Sequence, residues 1–504
     1  MASVLEQTTD SDVLRLYALR HQTPMWTDAG VLGTDGREAL DLLRASDDEG
    51  LTPSDYAVTQ IDVRPGERAA PRDIAAFDVA LSGTLLRYLH DLHVGRVDPR
   101  QLGFRLRLPP DAHDFVAVLH AARDGHRLKA AAAELRPALG QYDALRGALV
   151  RYRVLASDEP PALPVAKTGV HPGDPYAAFD VLSRRLVALG DMQLAAGPTN
   201  VGVYDAALVD AVIRFQRRHG LDADGVLGGR TLRELNVSFA WRARQLALAL
   251  ERLRWLPDVG EERLIAINIP MFRLWAWNAN AGRQAPALDM AVIVGRAARS
   301  ETPIIDQPLR SVVFRPFWNV PRSILRDEIL ATLARDPAYL DRENMEIVDG
   351  QGDDAVPISL DDASLARLRD GSLRVRQRPG PKNALGLVKL IFPNVDDIYM
   401  HGTPAQTLFA RSRRDFSHGC VRVEQPAILA EWALRDIPGW TSQHIAEAMN
   451  GQRPVDVRLP KPIRVILFYT TAAVMSADGT VHFAEDIYGR DPALDAALAK
   501  RRPS

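Results

Sequence analysis

Hydrophobic residues recur at helical spacing through the first third of the chain. Amphipathic patterns cover Val13–Leu19, Ile74–His90 and Phe115–Leu135. Apolar side chains three and four positions apart lie on one face of a helix, and so these segments predict helices. Prolines at Pro160–Pro164 then interrupt the pattern, because proline cannot continue a helix. We therefore expect a helical scaffold domain over residues 1–165, followed by a linker.

A second, smaller helical unit is predicted over residues 175–236. Helical spacing runs through Val181–Leu189 and again through Leu208–Phe215. The turn-rich segment Leu221–Gly228 separates the second pattern from a last short one at Thr231–Leu235. Glycine ends helices readily because it adopts left-handed backbone angles. Three short helices with glycine-containing turns thus account for the unit.

From residue 262 onward, short runs of β-branched and aromatic residues replace the helical spacing. Such runs, bounded by Asn, Gly and Pro, are typical of strands. The predicted strands are Arg263–Pro270, Met271–Trp277, Met290–Val294, Ser311–Val313 and Val388–Phe392. We expect a β-rich domain over residues 262–490. A helical and polar insertion at about residues 323–380 interrupts it and is a candidate lid. The predicted fold class is α+β multidomain.

Composition excludes several classes of protein. The chain has 504 residues, enough for about three domains, and 46% of them are hydrophobic and 25% charged. Lys and Arg number 62 against 64 Asp and Glu, so no nucleic-acid partner is expected. No stretch reaches the 18 or so apolar residues that span a bilayer. The best candidate, Val465–Met475, predicts a buried strand.

The first residues carry no basic and apolar signal-peptide pattern. Two interpretations remain open. Either the protein is cytosolic, or a new start codon has replaced an export signal. The chemistry described next favours the second.

Candidate chemistry centres on Cys420, the single cysteine of the chain. One thiol excludes an internal disulfide and a cysteine-rich zinc site, and the scattered histidines lack metal-binding spacing, so no metal is expected. A thiol becomes a nucleophile only when a base or cation favours the thiolate. His418 lies two residues away, and His401 can return from an adjacent strand or loop. Sequence alone leaves open which histidine is the base.

Residues around the thiol favour catalysis over the simpler reading of a small buried side chain. Gly419 allows a tight backbone whose N–H groups point at a developing oxyanion. Arg411, Arg413 and Arg414 precede the site and Arg422 follows it. Guanidinium groups suit thiolate stabilisation or capture of a substrate carboxylate.

Two motifs resemble known families. His401-Gly402-Thr403, followed by Ser417-His418-Gly419-Cys420, resembles the signature of the L,D-transpeptidase (YkuD-type) catalytic domain. Ala211–Leu221, followed by Asp224-Gly225-Val226 and Thr231, resembles peptidoglycan-binding domain 1. This domain order is similar to that of the large periplasmic L,D-transpeptidases of Gram-negative bacteria. A periplasmic location is therefore expected.

The resemblance implies a role for each site residue. Cys420 would attack the carbonyl that precedes the D-Ala of a tetrapeptide stem, and His401 would act as general base and acid. The Gly402 carbonyl would orient the imidazole, and the Gly419 and Cys420 amides would form the oxyanion hole. Supporting roles fall to His418, Ser417 and Arg422, and substrate-binding roles to Tyr399, Asn383 and Trp318.

The implied partners are peptidoglycan stem peptides: a tetrapeptide donor and an acceptor with the amine of a diamino acid. The resulting product is a 3→3 cross-link. Carbapenems are expected to acylate the same thiol, and no cofactor is expected. Two alternatives remain. One is an L,D-carboxypeptidase or wall hydrolase that uses Cys420, and the other is a wall-binding protein without catalysis.

Overall fold

The chain folds into two compact units. The computed structural model describes residues 1–56, 70–106, 113–165, 168–193, 201–257, 259–280, 285–350, 352, 354–475 and 479–500. Met1–Gly260 and Tyr469–Ser504 form the first unit, and Glu261–Phe468 forms the second.

Helices dominate the first unit. Its α-helices are Ala2–Leu5, Ser11–Leu19, Thr34–Arg44, Pro71–Val94, Phe115–Asp124, Leu128–Glu134, Gly140–Ser157, Phe179–Leu189, Ala206–Arg218, Gly229–Leu235, Phe239–Arg254 and Arg490–Ala499. Short 3-10 helices lie at Ala45–Glu49, Pro53–Tyr56 and Pro99–Leu102. The predicted pattern Phe115–Leu135 is two helices rather than one, because the backbone at His126 turns to φ 51°.

The strands follow in chain order and lie mainly in the second unit. They are β1 (Thr27–Asp28), β2 (Val31–Leu32), β3 (Leu264–Asn268), β4 (Arg273–Trp277), β5 (Leu288–Gly295), β6 (Ile305–Phe314), β7 (Trp318–Asn319), β8 (Met345–Asp349), β9 (Val356–Ile358), β10 (Arg374–Gln377), β11 (Val388–Ile391), β12 (Met400–His401), β13 (Asp415–Ser417), β14 (Val421–Val423), β15 (Val455–Phe468), β16 (Ala472–Val474) and β17 (Val481–Phe483).

The predicted three-helix unit is confirmed, but the proline segment before it is not a free linker. The Leu163 side chain is buried in the same hydrophobic cluster as the three helices. Its backbone N–H donates to Asn236 Oδ1 at 2.7 Å, and its carbonyl accepts from Asn236 Nδ2 at 2.8 Å. The segment is therefore fixed against the end of the last helix.

The C-terminal end of the predicted β-rich domain belongs to the first unit. The run Val465–Met475 was expected to be one strand, but β15 ends at Phe468 and β16 starts at Ala472. From Tyr469 onward the chain packs with the first unit. Phe483 explains this placement, because its ring meets Tyr152 edge-on with centroids 5.4 Å apart and stacks on His219 at 5.6 Å. The predicted boundary at residue 490 is therefore wrong.

A sheet that closes on itself forms the second unit. Its strands follow the order β13-β5-β14-β12-β11-β6-β15-β3-β4, and β4 also pairs with β5. The predicted pairing of β3 with β4 is confirmed, with Leu264 opposite Trp277. Three pairs are parallel: β12–β14, β15–β3 and β13–β5. Two helices, Pro426–Leu434 and Ser442–Asn450, and a 3-10 helix, Gln406–Ala410, accompany the sheet.

The insertion contains a sheet that the sequence did not predict. Strands pair in the order β7-β10-β8-β9, and the helical segments are Arg322–Ile324, Leu325–Ile329 (a π-helix), Leu330–Leu333, Tyr339–Arg342 and Asp362–Asp370. Eleven buried hydrophobic residues, from Val320 to Val375, give the insertion its own core. Its strands are at most five residues long, and β8 and β10 carry two charged residues each, so the hydrophobic pattern does not reveal them.

Among the described residues, no helix has both the length and the hydropathy that a membrane span requires.

Gln216 provides a test of the three-helix unit. Its buried amide donates to Asp224 Oδ1 at 2.9 Å and to the Val226 carbonyl at 3.1 Å, and it accepts from the Gly225 N–H at 2.9 Å. Gln216→Met removes these hydrogen bonds and leaves the buried Gly225 N–H without its acceptor, so we expect it to lower the free energy of unfolding by about 1–3 kcal/mol. Denaturant unfolding of the full chain measures the loss. Arg217→Met, at the exposed neighbouring position, is the matched control, and an equal loss in both variants would contradict the assignment.

Candidate active site

One face of the closed sheet carries the polar side chains of the site. Alternate residues of a strand point to opposite faces. Along β11, β12 and β14 the fully buried face consists of Val388, Leu390, Met400, Val421 and Val423. The intervening residues on the opposite face are Lys389, Tyr399, His401, Cys420 and Arg422.

The register of these strands brings the side chains together. His401 pairs with Arg422 in the parallel pair β12–β14, and Lys389 pairs with His401 across β11–β12. On the N-terminal side of the His401–Arg422 pair, the Val421 N–H donates to the Tyr399 carbonyl at 3.1 Å. Cys420 therefore lies beside Tyr399 at the start of β14, on the face that also holds His401.

Opposing influences act on the Cys420 thiol. The residue is half-buried, and its Sγ lies 3.9 Å from the Asp397 carbonyl oxygen. Burial raises the pKa of the thiol and is the largest influence, whereas hydrogen bonds from Tyr399 and the charges of Lys389 and Arg422 lower it. The Lys389 ammonium lies 3.9 Å from the centroid of the Tyr399 ring. The site thus combines a partly desolvated thiol with cations that favour its ionised form.

His401 is held as a neutral imidazole. The residue is 4% exposed, and its Nδ1 lies 2.5 Å from the Gly402 carbonyl oxygen. Burial lowers its pKa to about 3, and the charges of Arg422 and Lys389 act in the same direction. A carbonyl can only accept a hydrogen bond, which assigns the proton of the neutral ring to Nδ1. Nε2 is then the atom that can accept a proton.

The segment before β11 supports the His401 turn. Gly386 adopts φ +64°, and a Cβ there would lie 2.8 Å from the Gly402 carbonyl carbon, so the close approach requires glycine. Asn383 fixes this segment from within: its Nδ2 donates to the carbonyls of Pro316 and Arg378 at 3.1 and 3.0 Å. The side chain is buried and committed to the loop. These hydrogen bonds support a positioning role for Asn383, and its substrate contact stays a prediction.

His418 contacts the insertion through its side chain. Its ring is exposed, and its Nε2 lies 2.7 Å from Glu328 Oε1. Glu328 belongs to the π-helix Leu325–Ile329 of the insertion. Of the two histidines that the sequence left open, the geometry favours His401 as the base, and His418 joins the thiol loop to the insertion.

One predicted donor of the oxyanion hole is already engaged. The Gly419 N–H donates to Ser417 Oγ at 3.1 Å, and that hydroxyl donates to the Cys420 carbonyl at 2.5 Å. Ser417 thus holds the turn, and while this hydrogen bond persists the Gly419 amide is not available to an oxyanion. Gly419 adopts φ +111°, which favours glycine at this position. The Cys420 N–H donates to no acceptor within the described part of the chain.

Other residues that the sequence singled out have their partners outside β11, β12 and β14. Trp318 pairs with Gln377 in the sheet of the insertion and packs against its core. Arg413 forms an ion pair with Asp415 at 2.7 Å. Arg414 donates to the carbonyls of Val292 and Phe272, both at 3.2 Å.

Sequence reasoning missed Lys389 and Glu328. Lys389 had a detectable signal, because it is a single charge between Val388 and Leu390 in an apolar run. Glu328 had none, since only the fold brings the insertion to His418. Among the described residues, no group of three or more His, Cys, Asp or Glu is arranged to hold a metal ion.

Comparison with known families agrees with this architecture. Residues 11–149 match the family model of a scaffold domain, and residues 179–235 match the one described as "Putative peptidoglycan binding domain". Residues 262–457 match the L,D-transpeptidase catalytic domain. These matches confirm the resemblance of both motifs, the one to an L,D-transpeptidase catalytic domain and the other to a peptidoglycan-binding module.

Individual relatives are also similar. A Haemophilus influenzae protein named "Putative L,D-transpeptidase" is 33% identical over 267 residues, which are 53% of this chain and 51% of that protein. The chain thus spans about half the length of this curated relative. A crystal structure of an L,D-transpeptidase fragment from Xylanimonas cellulosilytica is 17% identical and covers 61% of this chain and 100% of its own, with a TM-score of 0.18. Such a score supports no conclusion about the fold.

Substitution of each histidine in turn distinguishes the two candidate bases. We expect His401→Gln to slow acylation of Cys420 by p-nitrophenyl acetate about 10²–10⁴-fold, because a positioned base is lost. His418→Gln is expected to change the rate less than threefold. The rate of the wild type should have no inflection near pH 6.5, since His401 stays neutral down to its lowered pKa of about 3. Intact mass follows the adduct, and a larger effect of His418→Gln would contradict the assignment.

Lys389 is expected to set the ionisation of the thiol. Its positive charge lowers the pKa of Cys420, so Lys389→Met should move the inflection of the alkylation rate to higher pH. Iodoacetamide alkylation between pH 6 and 10 measures this inflection, and the rate at pH 7 should fall several-fold. The exposed Lys382→Met is the control for lost charge. An inflection at the same pH in wild type and Lys389→Met would refute the role.

Proposed function

We propose that this protein is a peptidoglycan L,D-transpeptidase that forms 3→3 cross-links through a thioester on Cys420. The observation that carries the proposal is the shared sheet face of Cys420 and His401, within the domain that matches the L,D-transpeptidase catalytic family. A single thiol, a neutral imidazole and nearby cations are the parts that acyl transfer through sulfur requires.

In the first step, Cys420 accepts an acyl group from the donor stem. The Sγ proton passes to Nε2 of His401 while the sulfur attacks the carbonyl of the third stem residue. The bond to the D-Ala nitrogen breaks, and the same proton leaves with the D-Ala amine. The acyl part of the donor stem then remains bound to Cys420 as a thioester.

Charge develops on the carbonyl oxygen during this attack. The Cys420 N–H supports stabilisation of that charge, because it lies next to the sulfur and has no acceptor within the described residues. The Gly419 N–H would contribute only after leaving Ser417 Oγ. Arg422 adds a positive charge on the same face.

In the second step, the side-chain amine of an acceptor stem attacks the thioester. His401 takes a proton from the amine and returns it to the sulfur, which leaves as a thiol while the new amide forms. Water competes for the same thioester, and its exclusion separates cross-linking from hydrolysis. The contact between His418 and Glu328 supports a role for the insertion in this exclusion, since it holds the insertion at the thiol loop.

The substrate sets the cellular location. Peptidoglycan lies outside the cytoplasm, and so does a protein that binds and acylates it. We assign this protein to the periplasm. Carbapenems, which offer a strained amide carbonyl to the same sulfur, are proposed inhibitors.

Reaction products test the proposal. The wild type, incubated with purified tetrapeptide muropeptides, is expected to release D-Ala and to form dimers linked between two diamino acids. Cys420→Ala should form neither, because no nucleophile remains. Liquid chromatography with mass spectrometry identifies both products. Release of D-Ala without dimers would instead support an L,D-carboxypeptidase, and binding without any product would support a wall-binding protein.

A further inference from the structure

Two arginine side chains, Arg296 and Arg422, have no acidic partner among the described residues. Arg422 lies two positions after Cys420 on the same sheet face, and its buried Nε donates to no acceptor in the described ranges of the chain. Arg296 directly follows β5, the strand that pairs with β14. No ion pair or side-chain hydrogen bond of either guanidinium occurs among the residues that the structure describes.

The positive charges of Arg296 and Arg422 repel each other. Burial lowers the pKa of Arg422, and the charge of Arg296 lowers it further, whereas the Cys420 thiolate raises it. A partly buried cation without a counter-ion, next to a second cation, is costly until an anion joins them. The two guanidiniums therefore concentrate positive charge beside the nucleophile.

Neighbouring cations are not available for this purpose. Asp415 holds Arg413, and backbone carbonyls hold Arg414. Lys389 lies over the Tyr399 ring. Arg422, by contrast, lies on the face of Cys420 and has no carboxylate against it within the described part of the chain.

We infer that Arg296 and Arg422 bind the terminal carboxylate of the acyl-donor peptide. This inference rests on the proposed function for the identity of the peptide. Two residues along a strand separate Arg422 from Cys420 by about 7 Å. The carboxylate of the leaving D-Ala lies one residue, about 3.8 Å, beyond the attacked carbonyl. A guanidinium donates two parallel hydrogen bonds to a carboxylate, which would fix the donor with its last peptide bond at the sulfur.

Such a site selects the position of the scissile bond. A donor with a single residue after the attacked carbonyl places its carboxylate between the arginines. A longer stem displaces the carboxylate, and an amidated stem removes the charge. The arginine pair would therefore favour tetrapeptide donors with a free carboxyl terminus.

Two alkylating agents test the site without any peptide. Iodoacetate carries a carboxylate and iodoacetamide does not, and both react with the same thiolate, so the ratio of their rates cancels changes in thiol pKa. We expect this ratio for Cys420 to exceed that of glutathione about tenfold in the full chain at low salt. Arg296→Gln should bring the ratio most of the way to that of glutathione, and Arg296→Lys should retain part of the preference.

The control is Arg310→Gln, which removes an exposed arginine of the same sheet and the same net charge. It is expected to keep the wild-type ratio. A wild-type ratio equal to that of glutathione, or one that Arg296→Gln leaves unchanged, would overturn the anion site.

A second measurement separates this site from the proposed function. The acylation rate of Cys420 is compared for a tetrapeptide stem and its carboxyl-terminal amide, with the expectation that the free acid reacts about tenfold faster and that Arg296→Gln removes the difference. Equal rates of both peptides in the wild type would refute the carboxylate site while the transpeptidase assignment stands. Loss of the iodoacetate preference in Arg296→Gln, with no acylation by either peptide, would uphold the anion site and reject the assigned substrate.

Discussion

The parallel pairing of β12 with β14 is the constraint on which the site depends. With His401 opposite Arg422, the two-residue period of a strand places Tyr399, His401 and Cys420 on one face. The alternate residues Met400 and Val421 are fully buried and resist any shift of register, because a one-residue slip would expose them. The hydrophobic core thereby fixes which side chains meet at the thiol.

Burial and nearby charges then determine the protonation states of Cys420 and His401 on that face. Burial opposes both a thiolate on Cys420 and an imidazolium on His401, and the surrounding cations oppose only the second. The pair therefore rests as a neutral thiol and a neutral base, and proton transfer accompanies attack on a carbonyl. Arg422 and Arg296 extend the same positive field to the position of a substrate carboxylate.

Sequence predicted the parts of this molecule that local patterns encode. The amphipathic helices, the three-helix module and the pairing of β3 with β4 follow from periodicity, and the motifs at His401 and Cys420 point to the catalytic domain. Contacts between residues far apart in the chain could not be predicted from local patterns. Phe483 packs with the first unit through Tyr152, and Glu328 contacts His418, 90 residues away in sequence. The hydrogen bond that occupies the Gly419 amide also needed three-dimensional geometry, since Ser417 and Gly419 alone do not disclose it.

The central claim is that Cys420 carries the acyl group between donor and acceptor. Intact mass spectrometry of acid-quenched enzyme during turnover of a tetrapeptide stem tests it most directly. The wild type should gain the mass of the acylating tripeptide, located on Cys420 by peptide mapping, and Cys420→Ala should gain nothing. Cross-linking by the wild type without this adduct, or an adduct that persists in Cys420→Ala, would contradict the account.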